Sequence, residues 1–257
     1  MISLKENIVC ITGASSGIGA ACAREFARQG AALLLAARRK ERLTSLASEL
    51  SMEHKVRTHI VQLDVRRDKD VEQTFNALPP EWKDIDILVN NAGLSRGLDK
   101  LHEGKILDWE EMIDTNIKGL LYVSRVVAPR MVERKRGHII NLGSIAGHQV
   151  YPSGNVYCAT KFAVAAISEG LKMDLMGTGV RVCSVDPGLV ETEFSEVRYR
   201  GDKARAAKTY INMRPLRPED IAEIIVFCAT RPLHVDICDV VVMPTDQASV
   251  HHVFRTS

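Results

Sequence analysis

The sequence IVCITGASSGIG, at residues 8–19, decides the fold. Its first four residues form a continuous apolar run, which is typical of a strand buried on both faces. A glycine-rich turn follows, and a helical pattern then continues to Gly30. Glycines let a phosphate approach the backbone closely, and a helix start offers it unpaired N–H groups and a partial positive charge. The stretch therefore predicts a phosphate-binding turn, with an ordinary strand-to-helix turn as the alternative, formed by Gly13, Ser15, Ser16, Gly17, Ile18 and Gly19.

The next apolar strand, residues 31–37, ends without a carboxylate and is followed by Arg38 and Arg39. In dinucleotide-binding folds, an acid at this point accepts a hydrogen bond from the ribose 2′-hydroxyl of NAD, whereas an arginine suits the 2′-phosphate of NADP. A guanidinium also matches the geometry of a phosphate. The two arginines therefore predict NADP as the cofactor. The alternative is a solvated basic start to the helix predicted at residues 41–53.

Strands and helices of crossover length alternate along the rest of the chain. This pattern predicts the α/β class, with one NADP-binding domain over residues 1–257. We expect a Rossmann-type, doubly wound parallel sheet of about seven strands with helices on both faces. The further strands are predicted at residues 56–64, 85–89, 137–142, 180–185 and 239–243, and the further helices at residues 68–77, 108–134 and 218–230 and around Tyr157.

Two stretches carry no helix or strand pattern. Residues 189–215 show no clear apolar period, and a stretch of this length inside a compact domain is often a functional lid. It is therefore predicted to be a lid-like substrate segment. Residues 244–257 form a polar tail.

Tyr157 and Lys161 stand four residues apart in a helical pattern, so they lie on one face of the helix. An ammonium beside a phenol favours the phenolate and brings the phenol pKa toward the range of a general acid or base. Ser144 closes the strand at 137–142, which predicts that its hydroxyl faces the same site and holds a carbonyl oxygen. The alternative is a tyrosine with its ring in the core beside a lysine that reaches solvent.

Polar residues follow two other strands. Asp64 and Val65, at the end of the third strand, are placed to border an adenine pocket. Asn-Asn-Ala-Gly at residues 90–93 ends the fourth strand, where amide side chains tie strand ends together and small residues let a cofactor pass. A plain turn is the alternative there. Asn116 lies inside a helical pattern that disfavours asparagine, so it faces solvent or makes a specific bond.

The overall composition excludes several classes of protein. Among 257 residues, 34 basic side chains are balanced by 32 acidic ones, which gives no case for a nucleic-acid partner. The six cysteines show no Cys-x-x-Cys spacing and are expected to be reduced core residues, not disulfides or a zinc site. No run approaches the roughly 20 apolar residues of a membrane span. We therefore expect a cytoplasmic protein without a metal or a membrane partner.

Taken together, the glycine turn, the Asn-Asn-Ala-Gly motif, Ser144, Tyr157 and Lys161 resemble the short-chain dehydrogenase/reductase family over about residues 7–245. The resemblance implies that Asn116 joins the last three as a catalytic residue and orders a water that relays the proton. It places the three glycines under the cofactor pyrophosphate. The cofactor contacts expected outside the turn are Arg38, Arg39, Asp64, Val65, Asn90, Ala92, Gly93, Tyr157, Lys161, Pro187, Gly188, Val190 and Thr192.

The second half of the chain is similar to one branch of that family, the NADP-dependent 3-hydroxy acid dehydrogenases. The likeness lies in NLGSIAG at 141–147, PGLVETEFS at 187–195, VRYRG at 197–201 and the ending from residue 244. It implies hydride transfer between NADP(H) and the 3-position of short hydroxy acids, such as L-serine, L-allo-threonine or 3-hydroxyisobutyrate, or semialdehyde reduction in reverse. It also implies a homotetramer. A carboxylate substrate needs a cation, and the candidates are Arg198, Arg200, Arg205 and His148.

Two other functions fit the same sequence. One is an NADPH-dependent reductase of uncharged or pterin-type carbonyls, which would use the same Ser, Tyr and Lys. The other is an NADP-binding sensor whose site is idle. The intact set of Ser144, Tyr157 and Lys161 favours an enzyme, because a pure binder has no need of it.

Overall fold

A sheet of seven parallel strands crosses the protein in the order β3-β2-β1-β4-β5-β6-β7. The structure is a computed structural model that describes residues 2–256. The chain moves outward from β1 to β3, returns to place β4 beside β1, and moves outward the other way to β7. This topology confirms the predicted fold class. The strands are β1 (Ile8–Thr12), β2 (Ala32–Ala37), β3 (Thr58–Gln62), β4 (Ile87–Asn90), β5 (Gly137–Leu142), β6 (Val180–Pro187) and β7 (Asp239–Val242).

Helices cover both faces of the sheet because the central strands are apolar on both sides. Val9 and Ile11 of β1 pack in one core with helices α1, α2 and α9, whereas Cys10 packs in the other core with α3 and α5. The helices are α1 (Gly17–Arg28), α2 (Lys40–His54), α3 (Asp68–Asn76), α4 (Ile106–Ile113), α5 (Gly119–Glu133), α6 (Asn155–Asp174), α7 (Phe194–Arg198), α8 (Lys203–Ala207) and α9 (Pro218–Ala229). No helix within residues 2–256 is long and apolar enough to cross a membrane.

The helix predicted over residues 108–134 is interrupted. A π-helical turn, Asp114–Lys118, separates α4 from α5 and holds Asn116 in a buried position. The Asn116 amide donates to the Leu94 carbonyl (2.8 Å) and to Thr160 Oγ1 (3.0 Å), and its oxygen accepts from the Leu94 N–H (2.8 Å). These bonds satisfy the side chain inside the protein, which explains why an asparagine is tolerated within the helical region.

Residues 189–215 are more ordered than the sequence pattern indicated. They contain α7, α8 and a 3₁₀ turn at Lys208–Tyr210, each too short to show an apolar period. The Gly97 N–H donates to the Arg198 carbonyl (3.0 Å), and Arg96 donates to the Val197 carbonyl. Residues that are distant in the sequence therefore hold this segment in place by hydrogen bonds to its backbone.

Candidate active site

One cavity of about 490 Å³ opens at the carboxyl ends of the strands. It lies where the strand order reverses between β1 and β4, which is the usual ligand position in doubly wound sheets. Most of the site residues predicted from the sequence line it. These are Gly13, Ser15, Ser16, Gly17, Ile18, Arg38, Arg39, Asp64, Val65, Ala92, Gly93, Ser144, Tyr157, Lys161, Pro187, Gly188, Val190, Thr192 and Arg198.

The glycine turn is shaped by positive backbone angles and close approach. Gly13 and Gly17 have φ values of +66° and +52°, which favour glycine over residues with a side chain. Gly19 does not line the cavity, and its expected place under a pyrophosphate stays a prediction. A Cβ on Gly19 would collide with the Gly13 carbonyl oxygen. Gly19 therefore lets α1 start close against the turn.

The two asparagines after β4 have different roles. Asn91 lines the cavity and donates to the carbonyls of Thr12 (2.9 Å) and Gly13 (3.2 Å), so it holds the glycine turn. Asn90 does not line the cavity. Its amide donates to Ser124 Oγ and Asn141 Oδ1, both at 2.9 Å, and ties β4 to its neighbours. The Asn90 side chain therefore links neighbouring elements, and the cofactor contact expected of Asn90 stays a prediction.

The end of the cavity beside β2 and β3 is lined by basic residues after β2 and by an acidic residue after β3. Arg39 donates to the hydroxyls of Ser15 (3.1 Å) and Ser16 (2.6 Å), so it already reaches the glycine turn. Asp64 is paired with Arg66 at 2.6 Å. Burial opposes ionisation of Asp64, but the hydrogen bonds from Arg66 outweigh it and lower the pKa of the carboxyl group.

Ser144, Tyr157 and Lys161 meet at the opposite end. The Ser144 hydroxyl accepts from the Ala146 N–H at 3.1 Å, and Lys161 Nζ donates to the Leu142 carbonyl at 2.7 Å. Burial raises the pKa of the Tyr157 phenol, while Arg198 and a hydrogen bond with Ser144 act against that rise. Burial also lowers the pKa of Lys161 to about 8. The phenol is thus neutral at physiological pH, and the Arg198 cation favours its ionisation.

Arg198 is the candidate cation that reaches the cavity. Its guanidinium carbon lies 5.4 Å from the centre of the Tyr157 ring and 5.2 Å from that of Phe194. Nη2 donates to the Tyr151 hydroxyl at 3.3 Å. Nε is buried and has no hydrogen-bond partner within residues 2–256. A buried donor of this kind is costly unless a ligand accepts its hydrogen bond.

The other three candidate cations lie outside the cavity, and each has a partner elsewhere. Arg200 pairs with the buried Asp108. The Arg205 guanidinium lies 4.4 Å from the centre of the Tyr199 ring. His148 Nε2 lies 2.7 Å from Asp186 Oδ2.

Several residues of this site were not predicted from the sequence. Tyr151 and Phe194 form the apolar wall around Arg198, and Glu193 lies near Arg39. Asp186 is buried behind the site, and its carboxylate occupies the space that a side chain on Gly143 would need. One signal was available in the sequence, since Tyr151 lies in the loop that joins Ser144 to the helix of Tyr157.

A doubly wound sheet, a glycine turn at its switch point and a Ser-Tyr-Lys group facing the same cavity define a dinucleotide-dependent oxidoreductase. The sequence model of the short chain dehydrogenases matches residues 7–203. The chain therefore belongs to the short-chain dehydrogenase family. This finding confirms the resemblance drawn from the motifs.

Proteins with established names align with almost the whole chain. NADP-dependent 3-hydroxy acid dehydrogenase YdfG of Salmonella typhi is 51% identical over 249 residues, which are 95% of this chain and 99% of that protein. Sulfoacetaldehyde reductase 2 of Chromohalobacter salexigens is 48% identical, over 95% of this chain and 96% of that protein. The closed form of a serine dehydrogenase complexed with NADP+ is 47% identical, with a TM-score of 0.90 over 97% of this chain and 100% of that one.

Proposed function

We propose that this protein transfers hydride between NADP(H) and the 3-position of a short hydroxy acid, with the acid group held by Arg198. The observation that carries the acid preference is the buried, unpartnered Nε of Arg198 beside Tyr157. The candidate substrates are L-serine, L-allo-threonine and 3-hydroxyisobutyrate. A 3-hydroxy acid dehydrogenase and a serine dehydrogenase are among the similar proteins, which supports the same reaction here.

The residues around the cavity fit NADP. The positive φ of Gly13 and Gly17 opens the turn for a pyrophosphate, and the start of α1 faces it. Arg38 and Arg39 both line the adenosine end, where they would hold a 2′-phosphate. The dependence on NADP predicted from these arginines agrees with the NADP-dependent relative and with the NADP-bound neighbour.

The chemistry of the protein itself is proton transfer and positioning. Bound NADP(H) accepts or supplies the hydride. In oxidation, the phenolate form of Tyr157 would take the proton of the substrate hydroxyl; in reduction, the neutral phenol would return it to the carbonyl oxygen. Ser144 would hold that oxygen and stabilise the charge that develops on it. Lys161 would hold the cofactor ribose, and Asn116 would support a water that carries the proton outward.

Arg198 gives the site two properties at once. Its cation favours the Tyr157 phenolate, and its free Nε donates to the acid group of a substrate that lies against the tyrosine. A hydrogen bond between two charged groups is stronger than a neutral one and is formed here in a water-poor wall of aromatic rings. In each proposed substrate a single carbon separates the carboxyl carbon from the carbon that bears the hydroxyl group, so one molecule is short enough to touch both groups. We therefore propose residues 189–215 as the substrate segment of the domain, with Arg198 as its anchor.

Replacement of Arg198 by methionine tests the acid preference. The expected result is a KM for 3-hydroxyisobutyrate that rises about 10- to 100-fold, since a charged hydrogen bond is worth roughly 1.5–3 kcal/mol. The KM for its neutral methyl ester should change less than about 3-fold. Arg205→Met is the matched control, because it removes one arginine of the same segment outside the cavity. An equal change for acid and ester would remove Arg198 as the acid anchor.

The second candidate function is the reduction of a sulfonated aldehyde, and the 48% identity with a sulfoacetaldehyde reductase favours it. A sulfonate would use the same arginine as a carboxylate does. Comparison of NADPH oxidation with sulfoacetaldehyde and with malonic semialdehyde decides between the two acid groups. Turnover with neutral or pterin-type carbonyls alone would support the reductase that the sequence also allows.

The homotetramer and the cytoplasmic location remain predictions. The mass of the protein in solution, measured by light scattering, decides the first of them.

A further inference from the structure

A small cluster of charges joins the adenosine end of the cavity to the start of α7. Glu193 accepts hydrogen bonds from Arg39 Nη1 at 3.0 Å and from Arg42 Nη1 at 2.6 Å. Arg39 follows β2 and Arg42 lies in the first turn of α2, whereas Glu193 directly precedes α7. We call these three residues, Arg39, Arg42 and Glu193, the carboxylate clasp.

Two of the three clasp residues, Arg39 and Glu193, lie in the region that the cofactor would occupy. Arg38, Arg39 and Glu193 all line the cavity. Burial opposes ionisation of Glu193, but hydrogen bonds from Arg42 and Arg39 outweigh it and lower the pKa of its carboxyl group. Glu193 is therefore an anion at neutral pH, held where two arginines predict a phosphate.

Arg39 uses three of its five N–H groups in the structure. Nη1 binds Glu193, while Nε and Nη2 bind the hydroxyls of Ser15 and Ser16. A phosphate binds a guanidinium best with two parallel hydrogen bonds, from Nε and Nη2 or from Nη1 and Nη2, and each of these pairs includes a donor in use. A 2′-phosphate can therefore bind Arg39 in this way only if one of these partners leaves. Carboxylate and phosphate match the same face of a guanidinium, so Glu193 is the partner that a phosphate replaces most directly.

We propose that Glu193 is a cofactor-specificity residue that occupies Arg39 until a 2′-phosphate displaces it. The proposal rests on the proposed function, because it takes NADP as the cofactor. Glu193 keeps its shorter hydrogen bond with Arg42 when it gives up Arg39, so its charge is never left without a partner. NAD has no 2′-phosphate and leaves the clasp unchanged. The carboxylate thus weakens NADP binding while it leaves the binding of NAD as it is.

Equilibrium binding to the whole protein tests this proposal with Glu193→Gln. We expect the dissociation constants of NADP and of adenosine 2′,5′-bisphosphate to fall about 5-fold, and those of NAD and ADP to change less than 2-fold. Glu41→Gln is the control, since it removes one negative charge from the same turn of α2 as Arg42. Weaker NADP binding in Glu193→Gln would overturn the proposal, because it would show that Glu193 positions Arg39 for the phosphate. An equal gain in Glu41→Gln would overturn it too, as an effect of net charge.

A double-mutant cycle with Arg42→Gln separates the clasp from direct phosphate contact. Without Arg42, the displaced carboxylate has no second partner, so NADP binding should weaken about 3-fold in the wild-type background. The same change should have no effect once Glu193 is glutamine. A loss of equal size in both backgrounds would mean that Arg42 binds the phosphate itself, and would overturn the role of Arg42 as the partner that Glu193 keeps.

The wild-type values distinguish this inference from the proposed function. If the wild-type protein binds NAD as tightly as NADP, the proposed cofactor is wrong. If it prefers NADP and Glu193→Gln binds both cofactors unchanged, only the inference about Glu193 is wrong.

Discussion

The two ends of the cavity are built by different kinds of contact. At the glycine turn, Gly19 and Asn91 hold the backbone by close packing and by hydrogen bonds to the carbonyls of Thr12 and Gly13. The proposed substrate segment, residues 189–215, is instead held in place by hydrogen bonds and ion pairs with distant parts of the chain. Arg96 donates to Val197, Arg200 pairs with Asp108, and Arg255 donates to the Thr209 carbonyl at 2.9 Å.

The difference separates a rigid end from an adjustable one. Close packing has one solution and fails when an atom is added. Hydrogen bonds and ion pairs made by partly exposed arginines can break and form again without a change in the packed core. A cofactor that binds the same way in every cycle suits the first kind of contact, and the segment that we propose to bind the substrate suits the second.

The largest effect is expected from an added methyl group at the rigid end. In Gly19→Ala, the new Cβ would collide with the Gly13 carbonyl and lie 2.5 Å from Asn91 Nδ2. We expect a loss of about 2 kcal/mol in the free energy of unfolding, which is a fall of roughly 4–8 °C in Tm. Cofactor binding should weaken at the same time, because the turn must shift.

Gly170→Ala is the matched control for this change. Gly170 lies within α6, and a Cβ there meets nothing within 4 Å. The substitution should stabilise the protein by about 0.5–1 kcal/mol through helix propensity. Both melting temperatures are measured by calorimetry. Equal shifts in the two variants would show that the glycine turn is not closely packed.

A smaller effect, confined to activity, is expected at the adjustable end. Arg200→Met removes the ion pair that holds the substrate segment to Asp108 at the start of α4. We expect KM for the acid substrate to rise about 5-fold, and the unfolding free energy to fall by about 1 kcal/mol because a buried carboxylate loses its partner.

Arg205→Met should leave both quantities unchanged, since Arg205 contacts the ring of Tyr199 at the surface of the same segment. Initial rates with the hydroxy acid and thermal melts provide the data. If Arg200→Met lowered Tm as much as Gly19→Ala and left KM unchanged, this result would contradict the division of the cavity into two kinds of contact.

The smallest effect concerns stability near the outer edge of the sheet. Burial and the neighbouring Asp186 raise the pKa of Asp239 to about 6. The pKa in the unfolded chain is near 4, so the folded protein binds this proton more tightly. Stability from this group is fully present below pH 4 and is lost as the pH rises through 6.

Asp239→Asn should therefore raise Tm by roughly 1–2 °C at pH 8 and leave it unchanged at pH 4, since the side chain is half exposed and the effect is below about 1 kcal/mol. Melting curves at the two pH values provide the measurement. A gain of the same size at pH 4 would show that the carboxylate charge is not its cause.

The rigid end was predicted from the sequence because its signals are local. A buried strand, three glycines and a helix start lie within residues 8–19, and the arginines after β2 follow at the end of the next strand. The roles of Asn90 and Asn91 could not be separated in this way. Adjacent residues at a strand end point to opposite sides, and only the packed sheet shows which side holds the glycine turn.

The adjustable end was predicted only in outline. The sequence showed three arginines between residues 198 and 205 but not which of them faces the cavity, because α7 and α8 are too short to show a period. The contact between Glu193 and Arg39 joins residues 154 positions apart in the chain, and no local pattern carries that information. His148 was placed in the site by its closeness to Ser144 along the chain, whereas its ring points to Asp186.

The close approach of Gly143 to the Asp186 carboxylate limits which substitutions the protein can accept at these positions. A side chain at position 143 and a carboxylate at position 186 compete for one space, so position 143 can gain a side chain only if the residue at 186 becomes shorter. In an alignment of relatives, we expect residues larger than glycine at 143 only in chains with a shorter residue at 186. Such chains would also lack the acid that pairs with His148, so three positions would be inherited as a set.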